Sequence, residues 1–423
     1  MFEAIAANRR KSAFMVVLMA LLLAALGFGL GEYFMKDGGL IGVVGAIILW
    51  VILTLVAWGQ GDQIFLTMSG AKKISAEDLP VLWNVVEEMT LASGLQKMPA
   101  VYVIDDPAPN AFATGRSPET AAVAVTSGLL KILDRDELQG VIAHELGHVK
   151  NRDILLMLFT GVLMGAIVLL ADVGMRSMIF GGGRSRRSSN DSGGGNAIIM
   201  VVAIALMILA PIMAQLIYFA VSRKREYLAD ASAAAFTRYP DGLARALEKI
   251  SGTHAGNLKG ASRATAPMYI VNPMAAASEK ASASSATSTH PPIAERVKIL
   301  RAMGGASFQD YDRTYAEVTG KKGVVPRSAL ADPHAGAGLR VKGEKWRAGE
   351  TASVGTAEPA GAMAAAAPPE ETRRRARAVD DFFYDKDGWK RIPCECGAVL
   401  KLPPQLSGSQ VKCPRCKRKH RLV

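Results

Sequence analysis

Cysteine is nearly absent from this chain: there are four in 423 residues, all between positions 394 and 416. The main body therefore has no disulfide framework, and the clustering at one end suits a metal clip in a reducing compartment. Histidine is also scarce, at six residues, so two of them at a fixed spacing stand out. Charge is all but missing from four apolar runs, at about 13–34, 40–58, 154–171 and 197–221. Each is about long enough to cross a bilayer, which excludes an ordinary soluble protein and points to four membrane spans. The first run follows Arg9, Arg10 and Lys11 as a signal peptide would. It lacks a small-residue cleavage site and a second run follows at once, so it reads as a retained anchor.

The basic residues before the first run place the N-terminus in the cytoplasm. Met35–Gly39 is too short to be more than the turn of a hairpin, and Lys72 and Lys73 open the soluble part. By parity the chain returns to the same side after the second pair of runs, which puts both termini in the cytoplasm. One feature opposes this: Arg176, Arg184, Arg186 and Arg187 in the third connection would then lie outside. A re-entrant or surface-lying second hairpin is the alternative. The formal charge is +12, and residues 373–423 carry fourteen Lys and Arg against five Asp and Glu. That bias suits a tail near anionic lipid better than a nucleic-acid surface.

What is present centres on Val141 to Val149, which contains His144, Glu145 and His148 as H-E-x-x-H. On a helix, positions i and i+4 share a face, so both imidazoles can reach one metal ion. Glu145 then points to the substrate side, as a general base for a water activated by the metal. Asp134, with Glu137 three residues on, caps the start of such a helix. Two histidines need a third protein ligand to leave one coordination position open. Glu226, a lone acid after Arg223, Lys224 and Arg225, is the candidate. Asp230, one turn later, is placed to accept a hydrogen bond from the outer nitrogen of a ligand histidine. Ordinary solvated acids are the competing reading for this pair.

Around that centre, Ser75 to Asp78 reads as the start of an amphipathic helix ending near Gly94, and 100–104 and 121–126 read as strands. Between them lie Asn110, Ala111, Phe112, Ala113, Thr114 and Gly115, a candidate strand for holding a peptide by addition to a sheet edge; the alternative is a plain hairpin. Residues 251–288 are rich in Ser, Ala and Gly and read as a loop. His290, before Pro291 and Pro292, either holds that loop against the domain or reaches the site as an electrophile. Residues 326–372 read as a linker. Beyond it, Cys394 and Cys396 form a C-x-C turn and Cys413 and Cys416 a C-x-x-C turn, 16 residues apart. Four thiolates suit a tetrahedral structural zinc that holds a small module together, with His420 as a substitute ligand and a redox pair as the competing reading.

These motifs, in this order, resemble the HtpX-type membrane zinc metalloproteases, in the wider group that includes the CAAX-prenyl endopeptidases. The resemblance covers about residues 1–305. It rests on the basic N-terminus and hairpin, 110–115, His144 to His148, Ser222 to Asp230, and Thr289 to Pro292. It implies that His144, His148 and Glu226 bind zinc and that Glu145 is the base. It also implies a site facing the cytoplasm of a bacterial inner membrane, with damaged membrane proteins as substrates. The expected fold is membrane α-helical hairpins plus a mainly α-helical zincin-type domain with a small β-sheet, followed by a small zinc ribbon. Its expected units are a hairpin at 1–61, a catalytic domain at 62–325 interrupted by the hairpin at about 154–221, the linker, and a basic module at 373–423. The ribbon departs from the short family form, and it offers a docking surface for a protein partner.

Two other functions compete. An intramembrane-cleaving protease would set its ligands in a hydrophobic span, yet Arg135, Asp136 and Glu137 on one side and Lys150 to Asp153 on the other bracket this helix with charge. A non-catalytic scaffold recruiting partners through the ribbon has no need of an intact Glu145; a pull-down with residues 380–423 discriminates it.

Overall fold

The computed structural model describes residues 2–35, 37–181, 194–253, 270, 291–331, 370–404 and 410–421. Helices α1 (Phe2–Phe34) and α2 (Gly39–Met68) form the first hairpin. Glu32 accepts the Gly39 N–H at 2.8 Å, satisfying one of the unpaired donors at the start of α2. The two backbones touch: a Cβ on Gly42 would lie 2.0 Å from the Gly27 carbonyl oxygen. Small residues at such a contact let helices pack tightly where burial from water drives nothing. Helix α2 continues past residue 58, where the apolar run ends, because no proline stops it and Phe65 and Leu66 pack beneath the sheet.

Helices α6 (Asp153–Gly181) and α7 (Gly194–Thr237) pack with α1 and α2 around Met19, Leu23, Ala46, Ile167 and Met207. Their outer faces expose Leu40, Ile48, Leu55, Leu169 and Ile208, an apolar band that water would penalise and lipid would not. Among the described residues, Val16–Phe34 and Gly39–Met68 are long and apolar enough to cross a membrane.

The rest of the chain builds a helical body on one small sheet. Strands β1 (Ala71–Lys73), β2 (Ala100–Ile104), β3 (Ala111–Thr114) and β4 (Ala122–Thr126) lie in the order β1-β2-β4-β3. β2 and β4 run parallel, while β3 pairs antiparallel with β4, Ala111 opposite Val125. β3 is therefore an edge strand. Helix α3 (Pro80–Ser93) starts later than the sequence suggested. Ser75 and Asp78 do bond, at 2.7 Å, but as a turn before the helix. Pro80 sets the first helical position and keeps Leu79 out of the helical conformation. Helices α4 (Ser127–Ile132), α5 (Arg135–Lys150), α8 (Pro240–Gly252), α9 (Ile293–Ala302), α10 (Phe308–Thr319) and α11 (Arg327–Leu330) close around a core that includes Val86, Val123, Leu138 and Leu247.

The C-terminal part is less separate than its composition suggests. Helix α12 (Glu370–Lys386) buries Val379, Phe382 and Phe383 in that same core. Burying three such side chains contributes on the order of 5 kcal/mol before ordering costs. Arg375 Nε donates to the Leu130 carbonyl at 3.0 Å, and Lys131 pairs with Asp380 at 2.6 Å. Lys72, just past α2, pairs with Asp387. Two hairpins follow, β5 (Lys390–Pro393) with β6 (Val399–Leu402) and β7 (Gln410–Lys412) with β8 (Lys419–Arg421).

Candidate active site

Helix α5 begins with a capping box: Asp134 accepts the Glu137 N–H at 2.9 Å, and Glu137 accepts the Asp134 N–H at 2.8 Å. Three turns on, His144 and His148 share its buried face, ring centroids 4.9 Å apart. Gly147 sits between them and lets α7 approach. A Cβ there would lie 3.0 Å from the Ser232 side chain and 3.3 Å from the Ala229 Cα. That contact brings Glu226 and Asp230 of α7 onto the histidines.

Nε2 of His144 lies 3.7 Å from Glu226 Oε2, and Nε2 of His148 lies 3.4 Å from Oε1. Tetrahedral zinc with bonds of about 2.0–2.1 Å separates its ligands by about 3.3–3.4 Å. Each imidazole thus meets one oxygen of the Glu226 carboxylate near that separation, and one donor atom from each of the three buried residues lies within 4.8 Å of the others, a group that could hold one metal ion. The outer nitrogens are engaged as well. His144 Nδ1 is 2.9 Å from Asp230 Oδ1, and His148 Nδ1 is 3.4 Å from Asp153 Oδ2. Those carboxylates fix each ring with Nε2 aimed inward.

Two residues not singled out in the sequence complete this arrangement. Arg296, wholly buried on α9, forks onto Asp230 at 2.6 and 2.8 Å and sets Nη1 3.7 Å from Glu226. Asp153, read in the sequence as part of a charged bracket, is buried with Arg225 Nε 3.7 Å away. Proximity in sequence was the available signal: Asp153 is five residues past His148. Arg296 had none beyond a charge four residues after Pro292.

The site's charges follow from burial and pairing. Burial pushes the His144 and His148 pKa values down, but Asp230 and Asp153 respectively, with Glu226, more than reverse it; His148 is raised to about 10. Asp230 is pushed up by burial, yet Arg296 and His144 hold it below the usual value. Burial raises Glu145 above the ordinary carboxylate range, partly offset by the two histidines and by the Ala113 N–H donating to it. That bond joins α5 to β3.

Asn110 to Gly115 line up along this edge. Ala111 and Ala113 face the core of α5, while Phe112 packs with Phe65 and Leu66 of α2. Asn110 is buried, its Oδ1 accepting the Ala111 N–H at 3.1 Å, and Gly115 has φ of +134°. The β3 edge receives a backbone bond: Ile270 N–H donates to Ala111 O at 3.0 Å. His290 and most of 251–288 lie outside the described residues.

The cysteines converge separately. Cys394 Sγ is 3.4 Å from Cys416 Sγ, and Cys396 Sγ is 3.7 Å from Cys413 Sγ. Four thiolates at about 2.3 Å from a tetrahedral zinc would stand about 3.8 Å apart. The backbone N–H of Cys416 lowers the Cys413 thiol pKa and favours the metal-binding thiolate there, while at Cys394 the backbone N–H of Cys396 is outweighed by burial and the neighbouring thiols, which push that thiol up. His420 is not part of this cluster.

A family model described as peptidase family M48 matches residues 76–304. The chain belongs to peptidase family M48. This M48 peptidase is 44% identical over 303 residues to a protease HtpX homolog of Dictyoglomus thermophilum, covering 72% of this chain and 95% of that one. It is 45% identical to the protease HtpX homolog of Caldanaerobacter subterraneus subsp. tengcongensis, over 72% and 98% of the two chains. A solved structure, S. mikatae Ste24p, is similar at 20% identity and a TM-score of 0.38 over 71% of this chain and 67% of that one, too distant to argue from. The M48 match and the apolar helices make the protein a membrane-associated metalloprotease.

Proposed function

We propose that this M48 protease is a zinc-dependent endopeptidase of a bacterial inner membrane, spanning it several times. On this reading its site and both termini face the cytoplasm, and it cuts misfolded or damaged membrane proteins. The observation that carries the reading is the meeting of His144, His148 and Glu226, with Glu226 on the direct helical extension of an apolar segment, α7. The donor set fits zinc: two imidazole nitrogens and one carboxylate, buried and within 4.8 Å of one another, each ring pinned from behind by a carboxylate. Zinc bound there supplies Lewis acidity, bringing the pKa of water near neutrality and polarising a peptide carbonyl.

The chain's own residues do the rest. Glu145, raised by burial, accepts a proton from the attacking water and passes it to the leaving amine. Asp230 and Asp153 hold the two rings in place, and Arg296 keeps Asp230 charged. The edge of β3 receives an extended substrate by strand addition; the bond already made to Ala111 by Ile270 supports its competence to do so. A strand-binding site selects unfolded segments, because a folded substrate has few unpaired backbone groups to offer. Cys394, Cys396, Cys413 and Cys416 hold a second, structural zinc, and the module they fold offers a surface for a protein partner.

The test is cleavage of an unfolded membrane protein by the detergent-purified chain beside Glu145→Gln, with zinc measured in both. The proposal expects wild type to cut, and the variant to keep its zinc and lose at least about a hundredfold in rate. A zinc-loaded wild type that cuts no unfolded membrane protein overturns the substrate assignment. A variant as active as wild type overturns the base.

A further inference from the structure

Next to the metal centre but sharing none of its three ligand residues, a pocket of about 410 Å³ opens where α7, α9 and α10 meet. Four cations line it: Arg223 and Lys224 from α7, and Lys321 and Lys322 from the loop after α10. The one carboxylate, Glu295, is engaged by the Tyr227 hydroxyl. Tyr227 and Tyr315 form its aromatic wall, rings 4.9 Å apart. The loop is held in place, since the Val324 and Val325 N–H groups both donate to Asp312 at 3.0 Å. So strong an excess of positive charge in a concave site selects an anion.

Its depth says which kind. The apolar run of α7 ends at Val221, and Arg223 and Lys224 follow two and three residues later. At 1.5 Å per residue that is about 3–5 Å beyond the apolar boundary. The headgroup layer extends about 5–8 Å beyond the hydrocarbon on each side. Tyrosines also favour that level, where one end of the ring is dry and the other wet.

We propose that this pocket binds a phosphate group, that of an anionic phospholipid headgroup. The choice of lipid over free phosphate rests on the reading that α7 crosses the bilayer; the basic pocket itself does not. The ligand would lie beside the metal centre, because Tyr227 and Glu295 are chain neighbours of Glu226 and Arg296.

The experiment measures binding of soluble dihexanoyl phosphatidylglycerol, dihexanoyl phosphatidylcholine and inorganic phosphate to the full chain in neutral detergent. Lys321→Ala/Lys322→Ala is compared with Lys417→Ala/Lys419→Ala, which removes equal charge from the ribbon. Lys224→Ala serves as a second pocket variant should the first lose its thermal midpoint. The proposal expects phosphatidylglycerol to bind, the first pair to weaken it about tenfold or more, and the ribbon pair to leave it within about twofold. Equal losses in both pairs, or none in either pocket variant, overturn it. Inorganic phosphate competing as well as the lipid keeps the phosphate chemistry and overturns the lipid source. In vesicles with photoactivatable phosphatidylglycerol, label should fall on the peptides holding Arg223 or Lys321. Binding of the soluble lipid without that label keeps the pocket and overturns the membrane depth of α7.

Discussion

Arg296 is the side chain whose removal tests the logic of the metal centre most directly. It is fully buried, and its guanidinium makes two bonds to an equally buried Asp230, at 2.6 and 2.8 Å. Arg296→Leu leaves that carboxylate in a dry interior without its main counter-charge. Breaking one partner of such a pair costs about 3–5 kcal/mol. Asp230 escapes part of the cost by taking up a proton, and then ceases to be a good acceptor for His144 Nδ1. Zinc affinity should fall about 10–100-fold, as loss of a group that orients a ligand does. Chelator competition at pH 7 measures it, for Arg296→Leu, Asp230→Asn and the double variant. Because Asn carries no charge to strand, the double variant should be less damaged than the two single losses combined, with a coupling of about 0.5–3 kcal/mol. The pH dependence has a definite sign. In wild type, Asp230 is held low by Arg296 and His144, so its contribution to stability is lost only as pH falls through that lowered value. In Arg296→Leu its folded pKa rises above the unfolded one, so stability is instead lost as pH rises. Wild-type zinc affinity in Arg296→Leu, or simple additivity in the double, refutes the argument.

Glu145 must be ionised to accept a proton, and burial raises its pKa; kcat/KM should therefore rise with pH through a limb above the ordinary glutamate value of about 4.3. A limb at or below that value contradicts the assignment. Gly147→Val forces α7 off α5, at a cost of about 1–3 kcal/mol, and should lower bound zinc together with the thermal midpoint; unchanged zinc content means the contact does not set the site. Cys413→Ser should remove one zinc per chain by mass spectrometry while leaving the Glu145-dependent peptidase in place, and joint loss of both would mean the ribbon supports catalysis.

The parts legible in the sequence were those written in local pattern. The four-residue spacing of His144 and His148, the Asp134 cap and the apolar runs each follow from a few consecutive residues. Glu226 and Asp230 could be proposed because a metal needs a third ligand and a ligand histidine needs a partner behind it. Asp153 and Arg296 were not found, since their roles appear only when α6 and α9 fold against the histidines. Helix α12 was obscured by composition: its many arginines suggested a tail, although Arg375, Val379, Phe382 and Phe383 recur on one face. The position of α12 on α4 depends on packing across some 250 residues of chain, which no local window holds.

Helix α7 runs unbroken for 44 residues, from Gly194 to Thr237, a rod of about 66 Å. Glu226 is thus joined to the apolar part of the molecule by continuous backbone, with no hinge between. Trimming the ends of the chain cannot yield a water-soluble catalytic fragment, because the greasy stretch is interior and leads straight to Glu226. Excising 155–221 would leave that carboxylate near a new, fraying helix start, deprived of the turns that fix its bearing. The same stiffness means that any slide or rotation of the rod carries Glu226 and Asp230 with it. The geometry around the histidines is in this sense anchored in the apolar helices.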